Sequence, residues 1–314
     1  MAASVRTLLA EAEQSLRAKV EVSGQRLTLP IRADAHSPPH PALSPIASDG
    51  GEGYPDARRD AELLLMHTLD RSRAWLYAHG DDDVDASAAL RFRALLGRRE
   101  VGEPLAYITG RREFWSLDLA VTPDVLIPRP ETELLVELAL QRIPQDVQVD
   151  IADLGTGSGA IALSLAQERP LARVLATDFS AAALNVARGN AQRLGVANVE
   201  FAQGDWCAVL GDRNFGLIVS NPPYIPEADA HLKQGDLRFE PRAALASGAD
   251  GLEAIRSIVR DTFAQLQPGG WLMFEHGYDQ GEAVRRLLQQ SGFVEVVTER
   301  DLEGRERVSG GRVA

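Results

Sequence analysis

The chain has little cysteine: Cys207 is the single one among 314 residues. One thiol closes no internal disulfide and builds no metal cluster by itself. Histidine is sparse as well, with six residues and no Cys or His pair at ligand spacing, so no metal site is expected. Long apolar runs are missing. No stretch approaches the roughly 18 residues of a membrane span, and the N-terminus shows neither an apolar signal core nor a cleavage site. Positive charge is in short supply too: Lys and Arg number 33 against 45 acidic residues, a net charge of −12, which argues against a surface that grips phosphate backbones non-specifically. The expectation is a reduced, cytoplasmic protein with no membrane contact and no direct nucleic-acid binding. What is present suits a globular chain, with 45% hydrophobic and 25% charged residues. At roughly 150 residues per domain the length predicts two domains, or one large domain with an appendage.

From Ser4 to Lys19, apolar residues fall at Val5, Leu8, Leu9, Ala12 and Leu16, the stripe of an amphipathic helix. The pattern then stops. Pro30, Pro38, Pro39, Pro41 and Pro45 remove backbone donors before Pro55, which reads as an insertion or linker with no assignable chemistry. Helical pattern resumes behind Asp56, a plausible N-cap, through Ala61, Leu64, Leu65 and Leu69, with further pieces at Ser72–His79 and Ala86–Arg99. Between Arg112 and Ile127, Phe114, Leu117, Leu119 and Val121 alternate with polar residues, and Thr122-Pro123-Asp124 supplies a turn. Beyond Pro128, short apolar strands alternate with helices, which predicts right-handed βαβ units and a parallel sheet covered on both faces. The last two strands have no helix between them and should pair antiparallel. The expected organisation is a helical domain over 1–110 with a Pro-rich insertion at about 20–55, a bridging β-hairpin over 111–127, and an α/β domain over 128–314.

Chemistry concentrates in three places. Asp153–Gly159 reads DLGTGSG between a strand and a helix, and Gly155, Gly157 and Gly159 let backbone turn sharply and approach a ligand. By itself this loop suits a nicotinamide enzyme and an S-adenosylmethionine (AdoMet) enzyme equally. Asp178 ends the next strand, 23 residues after Gly155, where a carboxylate can accept both ribose hydroxyls of an adenosine. Its competing role is a helix N-cap. Asp205-Trp206 follows the third strand, where an acid and a flat ring can bracket an adenine, or the ring can serve as core. The third place is Asn221-Pro222-Pro223-Tyr224 at the end of an apolar strand. Two prolines make a rigid extended turn. An amide nitrogen is a poor nucleophile because its lone pair is delocalised. Two acceptors, the Asn221 side-chain oxygen and the Pro222 carbonyl, holding both its hydrogens would steer that lone pair towards an electrophilic methyl group, with Tyr224 packed on the planar group.

With these motifs in place the sequence resembles the peptide chain release factor glutamine methyltransferases, AdoMet-dependent class I methyltransferases. The resemblance runs through DAELLLMHTL (Asp60–Leu69), EPLAYITG (Glu103–Gly110), VLIPRPETE (Val125–Glu133), DLGTGSG, NPPYIP (Asn221–Pro226) and RFEPRAAL (Arg238–Leu245). It implies a Rossmann-like, seven-stranded, mostly parallel sheet with a C-terminal antiparallel hairpin, preceded by a small helical domain that docks the release factor. AdoMet is then held by Gly155, Thr156, Gly157, Ser158, Gly159, Asp178, Trp206 and Asn221. Asn221, Pro222, Pro223 and Tyr224 hold the glutamine of a Gly-Gly-Gln tripeptide, with Asn221, Pro222 and Tyr224 as the catalytic set, and S-adenosyl-L-homocysteine is the product. The Pro-rich stretch is longer than the family pattern. NPPY alone also fits a nucleic-acid methyltransferase acting on an exocyclic amino nitrogen, which the net charge and the lack of a target-recognition domain oppose. A protein that merely senses AdoMet has no use for a nitrogen-gripping turn. His276 reads as a packed residue, and Arg91, Arg93, Arg98, Arg99, Arg111 and Arg112 as a solvated helix face.

Overall fold

The computed structural model describes residues 3–26 and 56–314. Contacts divide these residues into two units, one of residues 3–26, 56–110 and 233–239, the other of residues 111–232 and 240–314.

The first unit is helical: α1 (Val5–Arg26), α2 (Ala57–Leu69), α3 (Arg73–Ala78), α4 (Ala86–Glu100) and α5 (Leu105–Thr109), with a short antiparallel pair β1 (Ala3–Ser4) and β2 (Asp83–Val84). The stripe Val5, Leu8, Leu9, Ala12 and Leu16 is buried in one cluster with Ala61, Leu64 and Leu65 of α2 and Phe92 of α4. Asp56, Ser72 and Asp85 cap α2, α3 and α4, each side chain accepting from a backbone N–H of the first turn. α1 runs on past Lys19, where its apolar stripe ends. No proline precedes Pro30, so nothing removes a backbone donor at Val20–Arg26. Of the insertion expected at about 20–55, residues 20–26 belong instead to α1, and residues 27–55 lie outside the described residues. Arg99 corrects the solvated-face reading: it is buried, and its Nε donates to Asp60 Oδ2 at 2.8 Å. A guanidinium taken out of water requires such a partner.

The second unit opens with a hairpin, β3 (Arg111–Phe114) and β4 (Leu117–Ala120). Its turn is Trp115-Ser116, with φ of 50° and 60°, the left-handed pair that a two-residue loop demands. Neither residue is Gly or Asn, so the sequence carried no signal for that turn. Seven strands follow: β5 (Asp150–Leu154), β6 (Arg173–Asp178), β7 (Val199–Gln203), β8 (Phe215–Ser220), β9 (Leu266–Glu275), β10 (Val294–Arg300) and β11 (Glu306–Arg312). They form one sheet in the order β10-β11-β9-β8-β5-β6-β7, parallel from β9 to β7, with β11 antiparallel between β9 and β10.

Successive strand residues face opposite sides. Leu217, Val219 and Met273 join one core with α6 (Thr132–Leu140) and α7 (Ala160–Glu168). Ile218, Leu272 and Phe274 join another with α9 (Glu253–Thr262) and α10 (Gly281–Gln290). The chain leaves β5 towards β6 on one side and lies against β8 on the other, so the carboxyl ends of these strands frame the crevice where open α/β sheets bind ligands. Register decides what meets there. Leu154 pairs with Ser220 and Thr177, and Ser220 pairs with Phe274, so Gly155, Asn221, Asp178 and Glu275 emerge side by side. Among the described residues, no helix is long and apolar enough to cross a membrane.

Candidate active site

A cavity of about 280 Å³ lies over these strand ends, wholly in the second unit. Its wall includes Gly155, Thr156, Gly157, Ser158, Asp178, Trp206, Asn221 and Pro223, together with Phe179. The glycine loop is anchored from below, Gly155 N and Thr156 N both donating to Thr177 O at 2.9 and 2.8 Å. From the side it is anchored by Asn190 of α8 (Ala181–Leu194), whose amide bonds Ser158 O and both backbone groups of Ala120 in the hairpin. Trp206 stands at φ 42° at the head of a single helical turn, its ring 3.3 Å from where a Cβ on Gly155 would lie.

The structure also places expected residues away from the wall. Gly159 forms the cap of α7, and Pro222 is buried. Tyr224 packs its ring against the second core and donates its hydroxyl to Glu275 Oε1 at 3.0 Å. A phenol drawn into a core needs an acceptor, and Glu275 supplies one there.

Two carboxylates sit under the loop. Asp178 accepts from Gly157 N at 2.9 Å and from Ser180 N at 2.8 Å. Ser180, not Asp178, caps the following helix by accepting from Ala183 N. Burial holds the Asp178 carboxyl above its usual range, outweighing both backbone donors. Asp153 is fully buried, and Thr156 Oγ1 and Ala162 N donate to its Oδ2 at 2.6 and 3.1 Å. Its Oδ1 has no hydrogen-bond partner, and burial pushes this carboxyl up to about 7.

Asn221 occupies the end of β8. Its Nδ2 donates to Thr132 Oγ1 at 3.1 Å, while its Oδ1 is buried with no partner. Thr132 in turn donates to Glu275 Oε2 at 2.6 Å. Burial raises the Glu275 carboxyl against the opposing pull of Thr132, Arg307 and Tyr224. The sequence by itself does not single out Thr132 or Glu275. Thr132 stands in the IPRPETE motif, and Glu275 is an acid closing an apolar strand, a placement that signals function only once register shows its neighbours. The same motif is clasped at its start by Glu240, which accepts from Ile127 N at 3.0 Å and pairs with Arg129. These contacts tie IPRPETE to RFEPR in the fold.

Cys207 and His276 fall out of the chemistry. Burial pushes the Cys207 thiol up to about 12, and pushes His276 down to about 4, its ring nitrogens bonded to Gly277 O and Ser309 Oγ. Among the described residues no cluster of His, Cys, Asp and Glu is placed to hold a metal ion.

Residues 50–110 match the family described as PrmC N-terminal domain, and residues 131–238 match the methyltransferase small domain. The chain is 56% identical over 270 residues to a release factor glutamine methyltransferase of Xylella fastidiosa, covering 86% of this chain and 98% of that protein. It is 48% identical over 255 residues to a protein of the same name from Escherichia coli K12, covering 81% and 92% of the two chains. Among solved structures, the hMettl16 catalytic domain in complex with MAT2A 3'UTR hairpin 6 superimposes with a TM-score of 0.51 at 15% identity, covering 72% of this chain and 82% of that one. At that identity the likeness speaks to the fold, a class I methyltransferase fold.

Proposed function

This chain belongs to the release factor glutamine methyltransferase family, and from that premise we propose that it transfers the methyl group of AdoMet to the side-chain amide nitrogen, N5, of the glutamine in the Gly-Gly-Gln tripeptide of peptide chain release factors. One observation carries the reading at this site: Asn221 Oδ1, an amide acceptor at the cavity wall, is buried with no partner. Leaving such an acceptor unsatisfied costs about 1–3 kcal/mol, which a substrate N–H would recover.

The residues suit AdoMet. Gly157 has open space where a side chain would project, and each Asp178 oxygen that accepts one backbone N–H retains a second lone pair for a ribose hydroxyl. Gly155, Thr156, Gly157, Ser158, Asp178, Trp206 and Asn221 would hold it, with Gly159 shaping the loop. When bound it supplies a methyl group on a good leaving group and departs as S-adenosyl-L-homocysteine. Asn221 Oδ1 accepts one hydrogen of the glutamine amide, and the Pro222 carbonyl in the same rigid turn accepts the other. Pro223 presents the ring face of the wall, and Tyr224 acts by holding Glu275. Orientation contributes the larger share of catalysis, because two fixed acceptors turn the nitrogen lone pair away from its resonance plane. No strong base is required, since the nitrogen becomes acidic once methylated. The first unit is the docking part for the release factor, in the cytoplasm.

Single-turnover transfer at saturating AdoMet tests the reading. Asn221→Ala removes one of the two acceptors, and the rate should fall roughly 10- to 150-fold. A wild-type rate would reduce the NPPY turn to scaffold and end this reading of the site.

A further inference from the structure

Asn221 and Tyr224 of the NPPY turn, Thr132 and Glu275 come from three separate stretches of the chain and form one network of hydrogen bonds that converges on Glu275. Asn221 Nδ2 donates to Thr132 Oγ1, Thr132 Oγ1 donates to Glu275 Oε2, and Tyr224 donates to Glu275 Oε1. Thr132 and Glu275 are 3% and 1% exposed, so water does not compete for these bonds. A hydroxyl carries a single proton. Thr132 gives its proton to Glu275, a carboxylate already taking a second bond from Tyr224, and therefore meets Asn221 only as an acceptor.

This restriction matters because an asparagine amide has nearly the same shape either way round. One orientation shows its neighbour an oxygen, the other an NH2. A substrate nitrogen bearing hydrogens is attracted by the first and repelled by the second. On the reading of Asn221 given above, we infer that Thr132 and Glu275 are positioning residues that fix the polarity of the Asn221 amide, holding its NH2 inward so that Oδ1 is the atom left for a substrate N–H. The device selects substrates that present N–H and disfavours those that present only acceptors. It also explains why an acid closes β9: the pairing of Ser220 with Phe274 brings Glu275 beside Asn221, with Thr132 between their side chains.

The test compares Thr132→Val, which keeps the shape and removes the hydroxyl, with Thr132→Ser, which keeps the hydroxyl. Single-turnover transfer at saturating AdoMet should fall about tenfold in Thr132→Val and stay within about twofold of wild type in Thr132→Ser. In an Asn221→Ala background Thr132→Val should cost nothing further, since the amide it orients is gone. In nitrogen-15 spectra of the unliganded protein, the Asn221 side-chain NH2 resonances should move in Thr132→Val and return in Thr132→Ser. If Thr132→Val fails to melt cooperatively, Glu275→Gln replaces it, because an NH2 offered to Thr132 frees the threonine proton for Asn221 Oδ1. Equal losses with and without Asn221, or unmoved NH2 resonances, would overturn the inference while a slow Asn221→Ala enzyme leaves the functional reading standing. A fast Asn221→Ala enzyme would instead remove that reading.

Discussion

At the scale of single residues, Asp153 shows burial and charge in open conflict. Two donors reach its Oδ2, none reaches Oδ1, and burial wins, pushing the carboxyl up to about 7. In the unfolded chain the same group titrates near its ordinary value of 3.8. Below that value both states are protonated and nothing is lost. Between about 4 and 7 the unfolded state ionises while the folded state keeps its proton, so stability falls as pH rises, by up to about tenfold in the unfolding constant per pH unit. Above about 7 the loss is complete and flat. Denaturant midpoints of the unliganded wild type and Asp153→Asn should therefore diverge from pH 4 to 7, the wild type losing ground, and run parallel above. His276 titrates in both proteins and cancels in the difference. Parallel curves throughout would show that Asp153 is ionised in the fold. The sequence named this residue only as the first letter of DLGTGSG, because burial is a property of the finished sheet. Asn221 and Asp178 were legible for the converse reason: a turn made by prolines and a strand end beside glycines carry their geometry in the letters themselves.

At the scale of elements, the loop between β5 and α7 separates two uses of glycine. A Cβ on Gly159, at φ 86°, would meet Leu163 Cδ1 at 3.0 Å and Ala187 Cβ at 3.3 Å, both in the core. A Cβ on Gly157, at φ 56°, meets nothing within 4 Å and stands at the cavity. Gly159→Ala should cost about 1–3 kcal/mol of stability through crowding and left-handed strain. Gly157→Ala should cost stability only about 1 kcal/mol but lower AdoMet affinity by at least about tenfold, because it fills the space of a backbone-close ligand. Thermal melts and calorimetric titration of both variants check the pair, and identical behaviour would refute the division. From sequence alone the three glycines were equivalent. The strand and helix alternation was readable because apolar period and turn residues are local, whereas the Trp115-Ser116 turn was not, lacking Gly or Asn. The helix Val5–Arg26 runs past its stripe, with no proline before Pro30 to remove a backbone donor.

At the scale of the whole molecule, 86% of the chain accounts for 98% of the Xylella fastidiosa protein, so some residues here have no counterpart there. The Pro-rich stretch carries no assignable chemistry, so replacing Leu27–Gly53 by a short Gly-Ser bridge should leave turnover within about twofold, a change in the length of connecting chain costing little. A large loss in a variant that still melts cooperatively would give the stretch a function. The net charge of −12 favours a protein amide over a nucleic-acid amine, while the acceptor left at Asn221 suits either, since both present an NH2. The most direct measurement is transfer of labelled methyl from AdoMet to a purified release factor, run beside the same factor with the tripeptide Gln changed to Ala, and beside RNA and DNA. Glutamine N5 transfer puts label on the native factor alone, located on the glutamine side chain. Equal label on the Gln→Ala factor, or label on nucleic acid in place of the protein, would contradict it.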